Sequence, residues 1–264
     1  MNDTKVDQIA DRIYRISTCI PEIAPGGFTF NQFLVDAEEP LLYHTGMRQL
    51  FPLVRDAVEK VLPVERLRWV AFAHVEADEC GSVNEFLEAA PQAQVAHGAL
   101  GVMLSLNDML NRPPRALADG EVLDIGGAGL RRSVLEVATP HVPHNWESHV
   151  FFEQETRTLF CGDLCTQLGD GPAVTDHDLL DAAIAAEETF WQTSMGPAIP
   201  AAYRRLAELE PTTLAVMHGS SYNGDCAQLL RDLADVYEAR FGCRAGATPA
   251  QPLPGHDAPV GVGR

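Results

Sequence analysis

Ala73-His74-Val75-Glu76-Ala77-Asp78-Glu79-Cys80-Gly81-Ser82 is the stretch on which the reading of the fold turns. The apolar run Leu67 to Ala73 precedes it and reads as a buried strand. His74, Glu76 and Asp78 alternate, so in an extended loop they point the same way. The stretch then enters a helix at about Gly81. Carboxylates near a helix N-terminus meet the positive end of its dipole, which keeps them ionised and able to hold a cation.

Three further segments carry metal-capable residues directly after predicted strands. Thr139-Pro140-His141-Val142-Pro143-His144 follows Leu135 to Thr139, Gly162-Asp163 follows Thr158 to Cys161, and His218-Gly219 follows Thr213 to Met217. In an open α/β sheet, ligands gather beyond the carboxyl ends of strands. Segments up to 144 positions apart would therefore meet at one rim. His74, Glu76 and Asp78, with a distant His, Asp163 and His218, give six donors, enough for two metal ions. Asp163 could bridge them, because a carboxylate has two oxygens.

The rest of the chain agrees with an α/β architecture. Strands are also predicted at 12–17, 32–36, 94–96, 121–125 and 149–153, and helices at 51–61, 83–90, 178–189, 201–209 and 226–240. At 264 residues, with 46% hydrophobic and 21% charged residues, the composition is globular; it excludes disordered, collagen-like and coiled-coil chains. With no linker before residue 243, residues 1–243 are expected to form one domain, and the Ala/Gly/Pro-rich 244–264 a flexible tail. Nineteen Lys and Arg against 37 Asp and Glu give a net charge of −18, a poor match to nucleic acid or to an anionic membrane surface. The N-terminus has no basic start with an apolar core behind it, and no apolar run approaches about 18 residues. A cytoplasmic protein is expected, with its six cysteines as reduced thiols.

Taken together, His-x-Glu-x-Asp, a His with Ser148 four residues on, Gly-Asp after a strand and a final His-Gly resemble the metallo-β-lactamase superfamily. The resemblance covers roughly Ile13 to Tyr237. It implies a four-layer αββα sandwich. Glu76, where many members carry a second His, is similar to the flavodiiron branch and the stand-alone oxygen-binding di-iron proteins. That branch implies one iron on His74, Glu76, His144 and Asp163, and a second on Asp78, Asp163 and His218. The Ser148 spacing selects His144 over His141. The branch has His directly after the Asp; this chain has Glu79, either a further metal ligand or a group behind the ligands.

The resemblance further implies a dinuclear iron site that binds or reduces dioxygen or nitric oxide. The flavodiiron branch generally adds a flavodoxin-like FMN domain, but no flavin phosphate loop follows residue 218, so no flavin is expected in this chain and electrons are expected from a separate donor protein. Relatives often pair as homodimers. A donor set rich in carboxylates suits iron, or manganese, better than zinc. The alternatives are a hydrolase of thioesters, lactones or phosphodiesters, with Asp78 orienting a metal-bound water, and a non-catalytic oxygen sensor. Cys80 is read as a buried apolar residue and His149 as packed or on the surface. His44, His97, His177 and His256 are expected on the surface. Trp146 and Tyr222 are either pocket walls or core.

Overall fold

Strand residues sort by parity into different cores. In the computed structural model, which describes residues 4–126, 131–194 and 196–240, Leu41 and Tyr43 of one strand point into one core and Leu42 into another. Phe151 likewise faces away from Val150 and Phe152. Alternation puts successive side chains on opposite faces, so a strand buried throughout must be covered on both sides.

Two sheets result, each of seven strands among the described residues. The first runs in chain order: β1 (Thr4–Ala10), β2 (Ile13–Ile20), β3 (Phe28–Val35), β4 (Leu41–Tyr43), β5 (Trp69–Ala71), β6 (Gln94–Gly98) and β7 (Arg115–Leu117). Strands β1 to β4 form an antiparallel meander, and β4 to β7 are parallel. The second contains β8 (Val122–Asp124), β9 (Ser133–Ala138), β10 (His149–Glu153), β11 (Thr158–Phe160), β12 (Val174–Thr175), β13 (Thr213–Ala215) and β14 (Ser221–Tyr222), in the order β12-β14-β13-β11-β10-β9-β8.

Between the sheets lie Ile13, Phe33, Tyr43, Trp69, Phe151 and Phe160, all nearly or fully buried. The outer face of the first sheet packs on α1 (Phe51–Val58), α2 (Ala77–Cys80) and α3 (Val83–Ala89) through Val54, Cys80 and Phe86. Next come α4 (Ala99–Gly101) and α5 (Asn107–Met109), which flank a π turn, Val102–Leu106. The outer face of the second sheet packs on α6 (Leu180–Phe190), α7 (Ala198–Glu208) and α8 (Cys226–Arg240) through Ala183, Leu206 and Leu230. The layers are therefore α, β, β, α, as the sequence led us to expect.

Hydrogen bonds stitch the sheets together at one rim. Asn31 N–H donates to the Met217 carbonyl at 3.0 Å, and His149 N–H to the Ala73 carbonyl at 3.0 Å. The ends of β5, β11 and β13 thus face one another across the seam.

Some sequence expectations need correction. His44 and His97 are fully buried, not exposed: His44 directly follows β4 and His97 lies within β6, and both strands are covered on both faces. The strands at 4–10, 41–43, 115–117, 174–175 and 221–222 and the helical stretch at 99–109 are not among the expected elements. Four of these strands are only two or three residues long, the strand at 4–10 has no clean apolar alternation, and the helical stretch is broken by a π turn. The helix expected at 201–209 begins at Ala198, since Pro200 in its first turn has no N–H that the helix needs. Among the described residues the five cysteines are free, and Cys80 is buried in the apolar layer as expected. The expected tail at 244–264, with His256, lies outside the described residues. His177 is exposed, as expected. Among the described residues no helix is long and apolar enough to cross a membrane.

Truncating a ring in the inter-sheet layer should leave a cavity, since rigid sheets on both sides limit collapse. Phe151→Ala should lower unfolding free energy by about 3–5 kcal/mol, measurable by urea denaturation as a lower midpoint at unchanged slope.

Candidate metal centre

The strand ends deliver their side chains as one cluster. His74 lies three residues past β5, and Glu76 ends the loop before α2. Asp78 sits in the first turn of α2. His144 lies in the loop between β9 and β10, Asp163 three residues past β11 and His218 three past β13.

Two groups of donor atoms form. In the first, His74 Nε2 is 2.9 Å from Glu76 Oε2 and 2.9 Å from His144 Nε2; His144 Nε2 is 3.1 Å from Glu76 Oε2. Asp163 Oδ2 completes it, 3.6 Å from His74 Nε2 and 4.0 Å from His144 Nε2. In the second, His218 Nε2 lies 3.2 Å from Asp163 Oδ1 and 3.4 Å from Asp78 Oδ2. Asp163 therefore contributes one oxygen to each group. Donors about 2.1 Å from a shared ion stand roughly 3.0–3.4 Å apart for right-angle and tetrahedral geometries, so the cluster has the spacing of ligands around a cation.

Each imidazole is aimed from behind. His144 Nδ1 donates to the Gln192 carbonyl at 2.9 Å, and His218 Nδ1 to the Thr29 carbonyl at 2.7 Å. His74 Nδ1 faces Glu79 Oε1 at 3.3 Å. In all three rings Nε2 is left for the site; in His144 and His218 a carbonyl partner fixes the tautomer, while His74 Nδ1 meets Glu79 at ion-pair distance without hydrogen-bond alignment. Phe28 stacks on His218 with ring centroids 4.3 Å apart, and Phe30 meets it edge-on at 5.3 Å. Glu147 Oε1 accepts the Val75 N–H at 3.0 Å and holds the loop between His74 and Glu76.

Electrostatics point to a cation. Burial opposes charge on His74, but Glu79, Glu76 and Asp163 outweigh it and push its pKa up to about 10. Burial likewise opposes charge on His218, and Asp163 and Asp78 carry it up to about 10. Hydrogen bonds from His144 and His74 pull Glu76 down to about 2. Asp163 is buried, yet His218, His74 and His144 hold it well below the usual carboxylate range. Buried Asp78 Oδ1 and Asp163 Oδ1 have no well-aligned hydrogen-bond donor. Unsatisfied buried carboxylate oxygens are costly, and a metal ion satisfies them.

The structure brings His74, Glu76, Asp78, His144, Asp163 and His218 together; His141 is on the surface, and Glu79 joins neither donor group. Glu79 is fully buried and turned toward Nδ1 of His74. Trp146 is 61% exposed beside His144, whereas Tyr222 belongs to the outer core. Thr29, Glu147 and Gln192 were not expected. Thr29 and Gln192 act on the ligands through their backbone carbonyls, which leave no residue-type signature, and Glu147 holds a backbone N–H far away in sequence.

In the metal-free state His74 and His218 hold their protons more tightly folded than unfolded. Their stabilisation is therefore complete below the usual value near 6.5 and is lost as pH rises toward about 10. Chelator-treated protein should lose several degrees of Tm across that window. With saturating divalent metal the loss should vanish, because the deprotonated rings are the ligands. Thermal melts at constant ionic strength check both outcomes.

Residues 28–219 match the family model described as ODP family beta lactamase. A putative diflavin flavoprotein A 1 of Nostoc sp. is 27% identical over 203 residues, 73% of this chain and 33% of the relative. The chain thus spans about a third of the length of the curated relatives it matches. Among solved structures, a mutant flavo di-iron protein from Thermotoga maritima superposes with a TM-score of 0.79 at 19% identity, covering 90% of this chain and 62% of that one. The rubredoxin oxygen:oxidoreductase from Desulfovibrio gigas gives 0.72 at 19% identity, covering 88% and 62%. Sequence order, αββα layering and the match across residues 28–219 agree: the chain belongs to the ODP beta-lactamase family.

Proposed function

We propose that this chain is a non-haem di-iron protein that binds or reduces dioxygen or nitric oxide. The observation that carries the reading is Asp163, whose two oxygens face two separate groups of donors. A single-ion site has no use for that arrangement. The names of the structural neighbours, a flavo di-iron protein and a rubredoxin oxygen:oxidoreductase, support the same chemistry.

His74, Glu76, His144 and Asp163 would hold one metal ion, and Asp78, Asp163 and His218 the other. Half of these donors are carboxylates, which suit iron or manganese better than zinc, and this favours redox over hydrolytic chemistry. When bound, the two ions supply electrons and an open coordination position for a diatomic ligand. The chain's own residues shape the access. Phe28 and Phe30 wall the His218 side with apolar surface, while the Glu76 side chain, 50% exposed, marks the side open to solvent. Electrons would come from a separate donor protein, and a homodimer is part of the same proposal.

Protein loaded anaerobically with ferrous iron should carry about two iron ions per chain and change its visible spectrum on exposure to oxygen. Asp163→Ala should lose both ions and His218→Ala one. Elemental analysis with an oxygen electrode checks this, and continuous uptake with a reductant distinguishes turnover from reversible binding. Zinc in place of iron, with ester or lactone hydrolysis, would overturn the reading.

A further inference from the structure

A line of buried polar groups runs beneath both donor groups and touches each. His74 turns Nδ1 to Glu79 Oε1 at 3.3 Å, and its backbone N–H donates to Glu79 Oε2 at 2.7 Å. The same Oε1 lies 3.4 Å from His44 Nε2. Oε1 meets both rings as close polar contacts without hydrogen-bond alignment, so the aligned bond between Glu79 and this loop is the one from the His74 backbone N–H. His44 Nδ1 faces the Asn31 carbonyl at 3.4 Å. The Asn31 amide donates to the carbonyls of Val216 and Gly219, each at 2.8 Å, and so brackets His218. Arg15 Nη2 adds a third bond to this loop, to the Gly219 carbonyl at 2.9 Å.

Glu79, His44 and Asn31 are all fully buried. The backbone is shaped for Glu79. Its carbonyl accepts the Thr45 N–H at 2.7 Å, and Gly162, at φ +53°, leaves the room beside it. A Cβ on Gly162 would stand 3.3 Å from Glu79 Oε1 and 2.6 Å from Ala73 Cβ. The residue before Asp163 must therefore lack a side chain chiefly because Ala73 stands against it, and Glu79 Oε1 borders the room this leaves.

We infer that Glu79 is a positioning residue and not a metal ligand: with His44 and Asn31 it ties His74 to the loop of His218, so the two metal positions are coupled through the protein beneath them. The inference rests on the two-metal reading above. A carboxylate behind a ligating imidazole orients the ring and strengthens it as a donor. The second donor group is then left with three protein donors, Asp78, Asp163 and His218. A polar line that reaches both loops makes displacement at one end felt at the other, because its members have no solvent to turn to.

Cobalt(II) titration of the chelator-treated full chain tests this, followed by calorimetry and by the visible bands of the bound ion. The wild type should take up two ions in two resolvable steps. Glu79→Gln should still take up two, with the step that involves His74 weakened about 10- to 100-fold and the other step also weakened. His44→Gln should weaken both steps, and the Glu79→Gln/His44→Gln double variant should lose less than the product of the single losses. Glu79→Asp, which keeps the charge but withdraws it from His74, should behave like Glu79→Gln and serves if that variant does not fold. Loss of one ion with the other step untouched would make Glu79 a ligand and overturn the inference. So would unchanged affinities, or losses that simply multiply in the double variant. Uptake of fewer than two ions by the wild type would instead overturn the two-metal reading, and this inference with it.

Discussion

Three carboxylates and three imidazoles crowded at the seam of two sheets set the terms for the rest of this molecule. Without a cation, His74, His144 and His218 favour the ionised forms of Glu76 and Asp163, and the carboxylates in turn push the pKa of His74 and His218 far above the usual range. The arrangement survives because the surroundings are rigid. Aromatic rings fill the space between the sheets, and backbone hydrogen bonds join the sheets at the rim. A looser scaffold would relieve the crowding by turning side chains out to water.

The fold and most of the site were legible in the sequence for one reason. Both depend on strand ends, and strand ends show as apolar runs that stop abruptly at a polar residue. Leu67 to Ala73 before His74 and Thr213 to Met217 before His218 are of this kind. The donor residues then stand out by chemical type. His44 and His97 were misread because the same signal is ambiguous for an isolated histidine. A strand end places it at the rim, but only the packing of the opposite sheet decides whether it meets solvent. Thr29 and Gln192 were invisible for a different reason: they hold ligands through their carbonyl oxygens, which every residue possesses.

Glu79 shows where pattern alone runs out. Its place directly after Asp78 fits a ligand or a supporting group equally well by spacing. Backbone geometry separates the two, because α2 turns the side chains of adjacent residues away from each other. Asp78 faces His218, and Glu79 faces the underside of His74.

The donors span positions 74 to 218 and belong to both sheets. Contacts of such large sequence separation form late, since loop closure must precede the reward of pairing. Neither half of the chain owns a complete set of donors for two ions, because Asp163 and His218 follow strands of the second sheet and His74 a strand of the first. The pocket is thus born at the docking step: nascent chain leaving the ribosome completes the first donor group only when Asp163 emerges, and the second only when His218 follows.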